Sequence, residues 1–305
     1  MLTRHTRKGV TWIDMESPTR QELQDVMTEF GIDARIEEEI ISPTPYPLVV
    51  TSERYLYLIL HFPTTDPRGG AKNQEIDFIV GKNFMITARY EVIDSIHNLH
   101  KVFEAEELLG LPDTQVDAEG LLERVLRHLY AALGEETEQI ARMLERIEND
   151  VFDGKERETV LNISRVSRVL LRFDTTLARH GDSLSAFLHE LTEPKFFGKD
   201  FREHIVHVEA ERAHVAALVA SYRAVATELR DTNDSLLSTK QNDIVTRLTI
   251  MAFATFPLTV ITGLFGMNTA SVPFINSPYA FYIVLGIMAL SVLLFVTYFR
   301  FRKWL

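Results

Sequence analysis

Hydrophobic residues recur along this chain with a changing period, and each period predicts a different kind of element. Over 1–112 the apolar runs are short and separated by turn residues. Val10–Asp14 predicts a strand. Ser17 followed by Pro18 predicts a capped helix start, with the helix running to Phe30 and stopping at Gly31. Ile36–Ile41 predicts a second helix, which Pro43, Pro45 and Pro47 terminate. The run YLYLILHF, Tyr55–Phe62, reads as a strand, and Asp66–Gly70 as a loop. Glu75–Val80 and Asn83–Arg89 predict a hairpin that turns at Gly81-Lys82. This part is mixed α/β.

From 113 to 198 the period lengthens. Leu121, Leu122, Val125, Leu129, Leu133, Ile140, Met143, Leu144 and Ile147 recur at three- and four-residue steps, the stripe of an amphipathic helix. Asp153-Gly154 marks a turn, and Val160–Arg179 continues on the return, so the segment predicts a helical hairpin. Beyond it, Lys199–Thr262 contains no glycine and only one proline, Pro257. A single helix of roughly 65 residues would be about 100 Å long and needs partners along its length. The expected divisions are a stalk over 199–247 and a membrane span over 248–265. A connecting loop at 266–278, a second span over 279–299 and a basic tail at 300–305 follow.

The two spans, LTIMAFATFPLTVITGLF and YAFYIVLGIMALSVLLFVTYF, carry no charge. Each has roughly the length a helix needs to cross a hydrocarbon core. Lys240 and Arg247 precede the first span, and Arg300, Arg302 and Lys303 follow the second, whereas the loop between them has no Lys or Arg. The positive-inside rule therefore predicts both termini in the cytoplasm and the loop outside. The lead-in MLTRHTRKGVTW is polar and basic, unlike a signal peptide.

Formal net charge is −11, from 43 acidic and 32 basic residues, with the acid concentrated ahead of the basic membrane end. A nucleic-acid binder would carry the opposite sign. There is no cysteine, so metal ligands must be oxygen or imidazole. No nucleotide-binding glycine motif, GxSxG or HExxH occurs, and Gly69-Gly70 is not followed by the GK[ST] of a phosphate loop. The chain is not expected to be an enzyme or to hold a resident cofactor.

One stripe of the long helix is unusual. Asn242, Val245, Thr249, Ala252, Phe256, Thr259 and Gly263 follow a three-four step, with Leu248 beside them. A coiled-coil seam would be filled with Leu and Ile. Small and polar residues suit either a water-filled lumen with apolar constrictions or close packing of membrane helices.

The segment Gly266-Met267-Asn268 at the end of the first span, the short loop, the second span and the terminal RFRKWL resemble the CorA family of divalent-cation channels. Gln241-Asn242-Asp243, Trp12-Ile13-Asp14 with Pro18-Thr19 and Glu22-Leu23, and Gly81–Phe84 extend the resemblance over nearly the whole chain. It implies a homopentamer, funnel-shaped, whose five long helices line a pore in the cell (inner) membrane. The transported ion would be Mg²⁺, with Co²⁺ or Ni²⁺ also accepted. Asn268, with Gly266 and Met267, would form the entrance filter, where a ring of side-chain carbonyls accepts hydrogen bonds from a hydrated ion. Mg²⁺ gives up its water reluctantly, which suits such a ring. The stripe from Asn242 to Gly263 would then line the pore, with Val245 and Leu248 as an apolar collar.

Two departures bear on the substrate. The loop TASVPFINSP carries no acidic residue, and Phe256 stands where the family usually has Met. A Zn²⁺ or Co²⁺ transporter of the related ZntB type, with or without proton coupling, and a membrane-anchored sensor or scaffold with an occluded pore are the alternatives. The resemblance also implies regulatory divalent ions between subunits. Glu203, in Phe201-Arg202-Glu203, and Asp231 are the candidate ligands, with Glu209, Glu211 and Asp234 in reserve. His204, His207 and His214, with Glu211, form an alternative metal face or an ordinary polar surface.

Overall fold

The computed structural model describes residues 1–7, 9–65, 71–108, 117–267 and 278–301. The chain divides into two compact units, Met1–Arg230 and Asp231–Leu305. The expected loop Asp66–Gly70 lies outside the described residues.

The first unit begins with a six-stranded sheet in the order β1-β2-β6-β5-β4-β3. Its strands are β1 (Leu2–Arg7), β2 (Val10–Glu16), β3 (Leu48–Thr51), β4 (Tyr55–Thr65), β5 (Ala71–Gly81) and β6 (Phe84–Arg89). Neighbours run antiparallel except β2 and β6, which are parallel, with Ile13 opposite Ile86. One face carries Ile13, Met15, Tyr57, Ile59, Ile79 and Ile86, buried against Leu23, Met27, Ile36 and Ile40 of α1 (Arg20–Phe30) and α2 (Ala34–Ile41). Period-two alternation sends Trp12 and Asp14 to the opposite face. There Trp12 stacks on His100 of α3 (Asp94–Leu108) with ring centroids 4.3 Å apart. Asp14 accepts from Thr87 at 2.6 Å, His100 at 3.0 Å and Arg89 at 3.0 Å. Burial pushes the Asp14 carboxyl up, but these hydrogen bonds outweigh it and hold it below the ordinary value.

The first helix starts later than Ser17 and Pro18 predict. Thr19 is the cap: its hydroxyl accepts the Glu22 N–H at 3.2 Å, and Glu22 accepts the Thr19 N–H at 2.9 Å. This reciprocal pair satisfies two orphan donors where a serine cap satisfies one. Ser17 instead sits at φ 45° and donates to the Tyr90 carbonyl at 2.6 Å. Gly31 closes α1 in the left-handed conformation, φ 65°, as a side-chain-free residue allows.

The helical hairpin is α4 (Ala118–Phe152) and α5 (Glu156–Glu190), joined at Asp153-Gly154. It docks on the sheet through Phe62, whose ring meets Tyr130 and His180 at 5.7 and 5.1 Å. Tyr130 and His180 bond to each other at 2.9 Å, and His180 Nε2 reaches the His61 carbonyl at 2.8 Å. Burial lowers the His180 pKa to about 4. After a 3₁₀ turn at Lys199–Phe201, α6 (Arg202–Phe265) runs unbroken for 64 residues. Its first part buries Val208, Val215, Val219, Ala226 and Leu229. Gly134 of α4 faces Val215, and Arg223 of α6 pairs with Asp174 of α5, so three helices pack together. The second unit holds the rest of α6 and α7 (Ala280–Phe301).

Candidate ion pathway

Two helices in the described residues are long and apolar enough to cross a membrane, and their apolar windows are not buried inside the protein. The hydroxyls within them are satisfied locally. Thr249 donates to the Val245 carbonyl at 2.8 Å, Thr255 to Met251 at 3.0 Å, Thr259 to Thr255 at 3.1 Å and Thr262 to Thr259 at 3.0 Å. Such back-bonding lets a polar residue sit in hydrocarbon without an orphan donor. It also fixes what Thr249 and Thr259 can still offer. Their protons are committed, so each hydroxyl oxygen presents lone pairs, which accept from the water of a hydrated cation.

The stripe read from sequence lies wholly on one continuous helix. Asn242, Ala252, Thr259 and Gly263 are exposed and Thr249 is half-buried. Val245, Leu248 and Phe256 are 58, 59 and 69% exposed. These apolar side chains find no cover within one chain. Pro257 removes an N–H that would otherwise bond the Phe253 carbonyl. At the end of the span, Gly266 donates its N–H to the Thr262 carbonyl at 2.8 Å. A Cβ on Gly266 would stand 2.8 Å from that same oxygen. The close approach explains why a side-chain-free residue ends the helix here. Met267 is half-exposed, and Asn268 and the loop after it lie outside the described residues.

The acidic and histidine candidates are distributed differently from the stripe. His204 and His207, one turn apart on α6, place their Nδ1 atoms 2.5 and 2.9 Å from the two oxygens of Glu123 on α4. Arg127 reaches Glu123 at 3.2 Å and Glu211 at 3.5 Å. Burial raises the Glu123 carboxyl, but the hydrogen bonds from His204, His207 and Arg127 more than compensate and hold it below its ordinary value. One turn away, burial and then the charge of Asp117 push Glu119 up. His204 and His207 are thus engaged with a carboxylate, while His214 is exposed on the next turns. No group of three His, Asp or Glu among the described residues is arranged to hold a metal ion. Glu209 is tied to Arg212 at 2.7 Å, whereas Glu203 and Asp231 are exposed. Nothing in the sequence singles out Glu123 and Glu119. Their spacing with Arg127 marks a charged helix face, but no local signal shows that α6 lies across it.

A soluble α/β unit, a helix running out of it into an apolar span, and a second apolar span define an integral membrane protein built around one long helix. The chain belongs to the CorA family: the model described as "CorA-like Mg2+ transporter protein" matches residues 7–303. It is therefore a divalent-cation transporter of the CorA type, and not an enzyme. The cobalt/magnesium transport protein CorA of Thermotoga maritima is 25% identical over 298 residues, covering 97% of this chain and 83% of that protein. The protein of the same name from Methanocaldococcus jannaschii is also 25% identical, covering 96% of this chain and 91% of that one. Among solved structures, the complete CorA magnesium transporter of M. jannaschii superposes with a TM-score of 0.85 at 23% identity, covering 97 and 92% of the two chains. The full-length CmaX protein superposes at 0.67 with 14% identity over 97 and 88%.

Proposed function

We propose that the chain forms a homopentameric channel for hydrated divalent cations, chiefly Mg²⁺, with Co²⁺ and Ni²⁺ also carried. It sits in the cell (inner) membrane with both termini in the cytoplasm, an orientation supported by the basic residues flanking the spans. The observation that carries the reading is the uncovered stripe on α6, where exposed apolar and hydroxyl-bearing residues alternate on one unbroken helix that ends at Gly266. Five such stripes around an axis would turn the Asn242, Thr249 and Thr259 oxygens to a shared lumen and bring Val245, Leu248 and Phe256 together as apolar rings along it.

In this reading a hydrated ion meets the Asn268 ring first. The ring accepts hydrogen bonds from the ion's waters and asks for no dehydration. Lone pairs of Thr259 and Thr249 continue the path. Phe256, and then Val245 with Leu248, close it by dewetting when the helices draw together. Exposed Glu203 and Asp231 would bind cytoplasmic divalent ions between subunits and favour the closed arrangement, because a ligand that prefers one state shifts the population toward it. The names of the relatives, which specify magnesium and cobalt, support this choice of ion over Zn²⁺. The ZntB-type reading retains one point in its favour, the loop without an acidic residue.

Liposome flux of Mg²⁺, Co²⁺, Ni²⁺ and Zn²⁺, with and without a pH gradient, tests the proposal. Flux of Mg²⁺ independent of the pH gradient, reduced to background by Asn268→Ala in an intact oligomer, is expected. Wild-type uptake by that variant would remove Asn268 from the filter. Zn²⁺ uptake driven by the proton gradient would favour the alternative, and no flux of any ion would leave a sensor or scaffold.

A further inference from the structure

Within the second unit α6 has two faces that are covered differently. Ile250, Ala254, Pro257, Ile261 and Phe265 are half-buried, whereas Val245, Phe256 and Gly263 of the stripe are exposed. Among the described residues α7 is the other element of this unit, so α7 is what covers the first face. It answers with a row of its own. Val284, Met288, Ser291 and Phe295 are half-buried at three- and four-residue steps, and Phe299 ends the row. In lipid such a seam is held by packing, because apolar surface alone gives two helices no drive to associate.

The packing is concentrated at one point. Phe299 is 5% exposed and is the one buried residue among the described residues of α7. Its ring meets Phe253 of α6 with centroids 6.4 Å apart, and Phe295 and Tyr298 of its own helix at 6.3 and 5.7 Å. These are separations that aromatic pairs favour. Phe253 also marks the weakest turn of α6, since its carbonyl is the one that Pro257 deprives of an N–H. Phe256, the bulkiest member of the stripe, lies within that turn.

We propose that Phe299 is a positioning residue for ion passage: it pins α6 to α7 at Phe253, so that the weakened turn before Pro257 is held on one side and the second span sets where Phe256 stands. The proposal rests on the pore reading above, with Phe256 as a constriction. Phe299 touches no ion and acts through Phe253. Without the pin the turn flexes and the ring of Phe256 side chains is held less tightly.

Liposome flux of Mg²⁺ and Co²⁺ through the full chain tests this. Phe299→Ala should raise the basal flux of both ions about tenfold, within the range that a packing contact transmits, and leave the ratio of the two fluxes at its wild-type value. Leu293→Ala, at a position 63% exposed on the same helix, should change nothing. In a Pro257→Ala background, where the bond to the Phe253 carbonyl is restored, Phe299→Ala should have no effect. Phe299→Leu keeps most of the volume and should give a smaller rise; it carries the test if Phe299→Ala assembles poorly, and wild-type flux from it would then overturn the pin. Phe256→Ala is the reference. If it raises flux and Phe299→Ala does not, the pin is overturned and the constriction stands; if neither changes flux, both fall. A rise in Leu293→Ala equal to that in Phe299→Ala, or one that persists undiminished with Pro257→Ala, would show a general loosening of the spans and overturn the proposal as well.

Discussion

Phe187 and Phe256 are the same residue in two different solvents. Phe187, on α5, is wholly buried inside the first unit, while Phe256, on the first span, is 69% exposed. The contrast holds for the units around them. The first unit buries most of its large side chains, Trp12, Tyr57, Tyr130 and Phe173 among them, although Phe152 and Leu161 stay 68% exposed. The second turns Val245, Leu248, Met251, Phe253, Leu293 and Leu294 outward. Burial of apolar surface stabilises the first from within. The second depends on what surrounds it, because in lipid the apolar exterior is already in its preferred medium and helix association must come from packing and polar contacts.

The sharpest way to break this comparison is one substitution made twice. Phe187→Ala should destabilise the first unit by about 3–5 kcal/mol, the range for emptying a buried aromatic site. Phe256→Ala should leave that unit's melting unchanged and alter flux instead. Fluorescence of Trp12, in a Trp304→Phe background, reads the first unit alone, since these are the chain's two tryptophans. Equal loss of stability in both variants would mean that the units do not fold by separate means.

Acid separates them next. His180 is buried between Tyr130 and the sheet, and burial lowers its pKa from 6.5 to about 4. The unfolded chain therefore binds a proton that the folded one refuses throughout that window. Stability should fall as pH drops from 6.5 toward 4 and level off below, by a total on the order of 3 kcal/mol. His180→Gln should flatten this part of the profile. The Trp12 signal measured against urea at several pH values gives the answer. An unchanged slope in the variant would place the acid sensitivity elsewhere.

The collar offers a smaller effect, confined to the other unit. Replacing Leu248 by Asn would wet the proposed apolar ring without touching the first unit's core. Basal divalent flux in liposomes should rise roughly tenfold, about 1.4 kcal/mol of closing free energy. If Leu248→Asn leaks no more than wild type, the constriction lies at Phe256.

What the sequence discloses follows the same division. The spans, the unbroken α6 and its stripe are legible because their signal is local: composition, period and the absence of glycine over Lys199–Thr262. The hairpin is legible for the same reason, since a 3.6 period persists for about ten turns in each arm. Strand β1, LTRHTR, is not, because it is an edge strand whose positions alternate between exposed and half-exposed and carry no apolar row. The helix cap falls at Thr19, and not at Ser17, because Glu22 completes a capping box that outweighs the signal of Pro18. The Glu123 contact is illegible for a deeper reason. It depends on a residue 81 positions away that no periodicity encodes.

The His204–Glu123–His207 contact gives the smallest effect and the finest test, because it ties α6 to α4 inside the first unit. Glu123 has a folded-state carboxyl held below its usual 4.5. Its contribution is thus present above 4.5 and lost as pH falls through the lower folded value, the reverse of a group whose pKa is raised. That window lies below most of the His180 window, so the two can be read apart in one titration. The pairs are partly exposed, with His207 50% and Glu123 13% accessible at the side chain, and solvent screening limits each to about 1 kcal/mol or less. Glu123→Gln keeps an acceptor for one histidine and removes the charge. It should cost about 1 kcal/mol near neutral pH and nothing in strong acid, and the loss should shrink in high salt. A cost that persists in strong acid would show that packing of the Glu123 side chain, and not its charge, holds the two helices together.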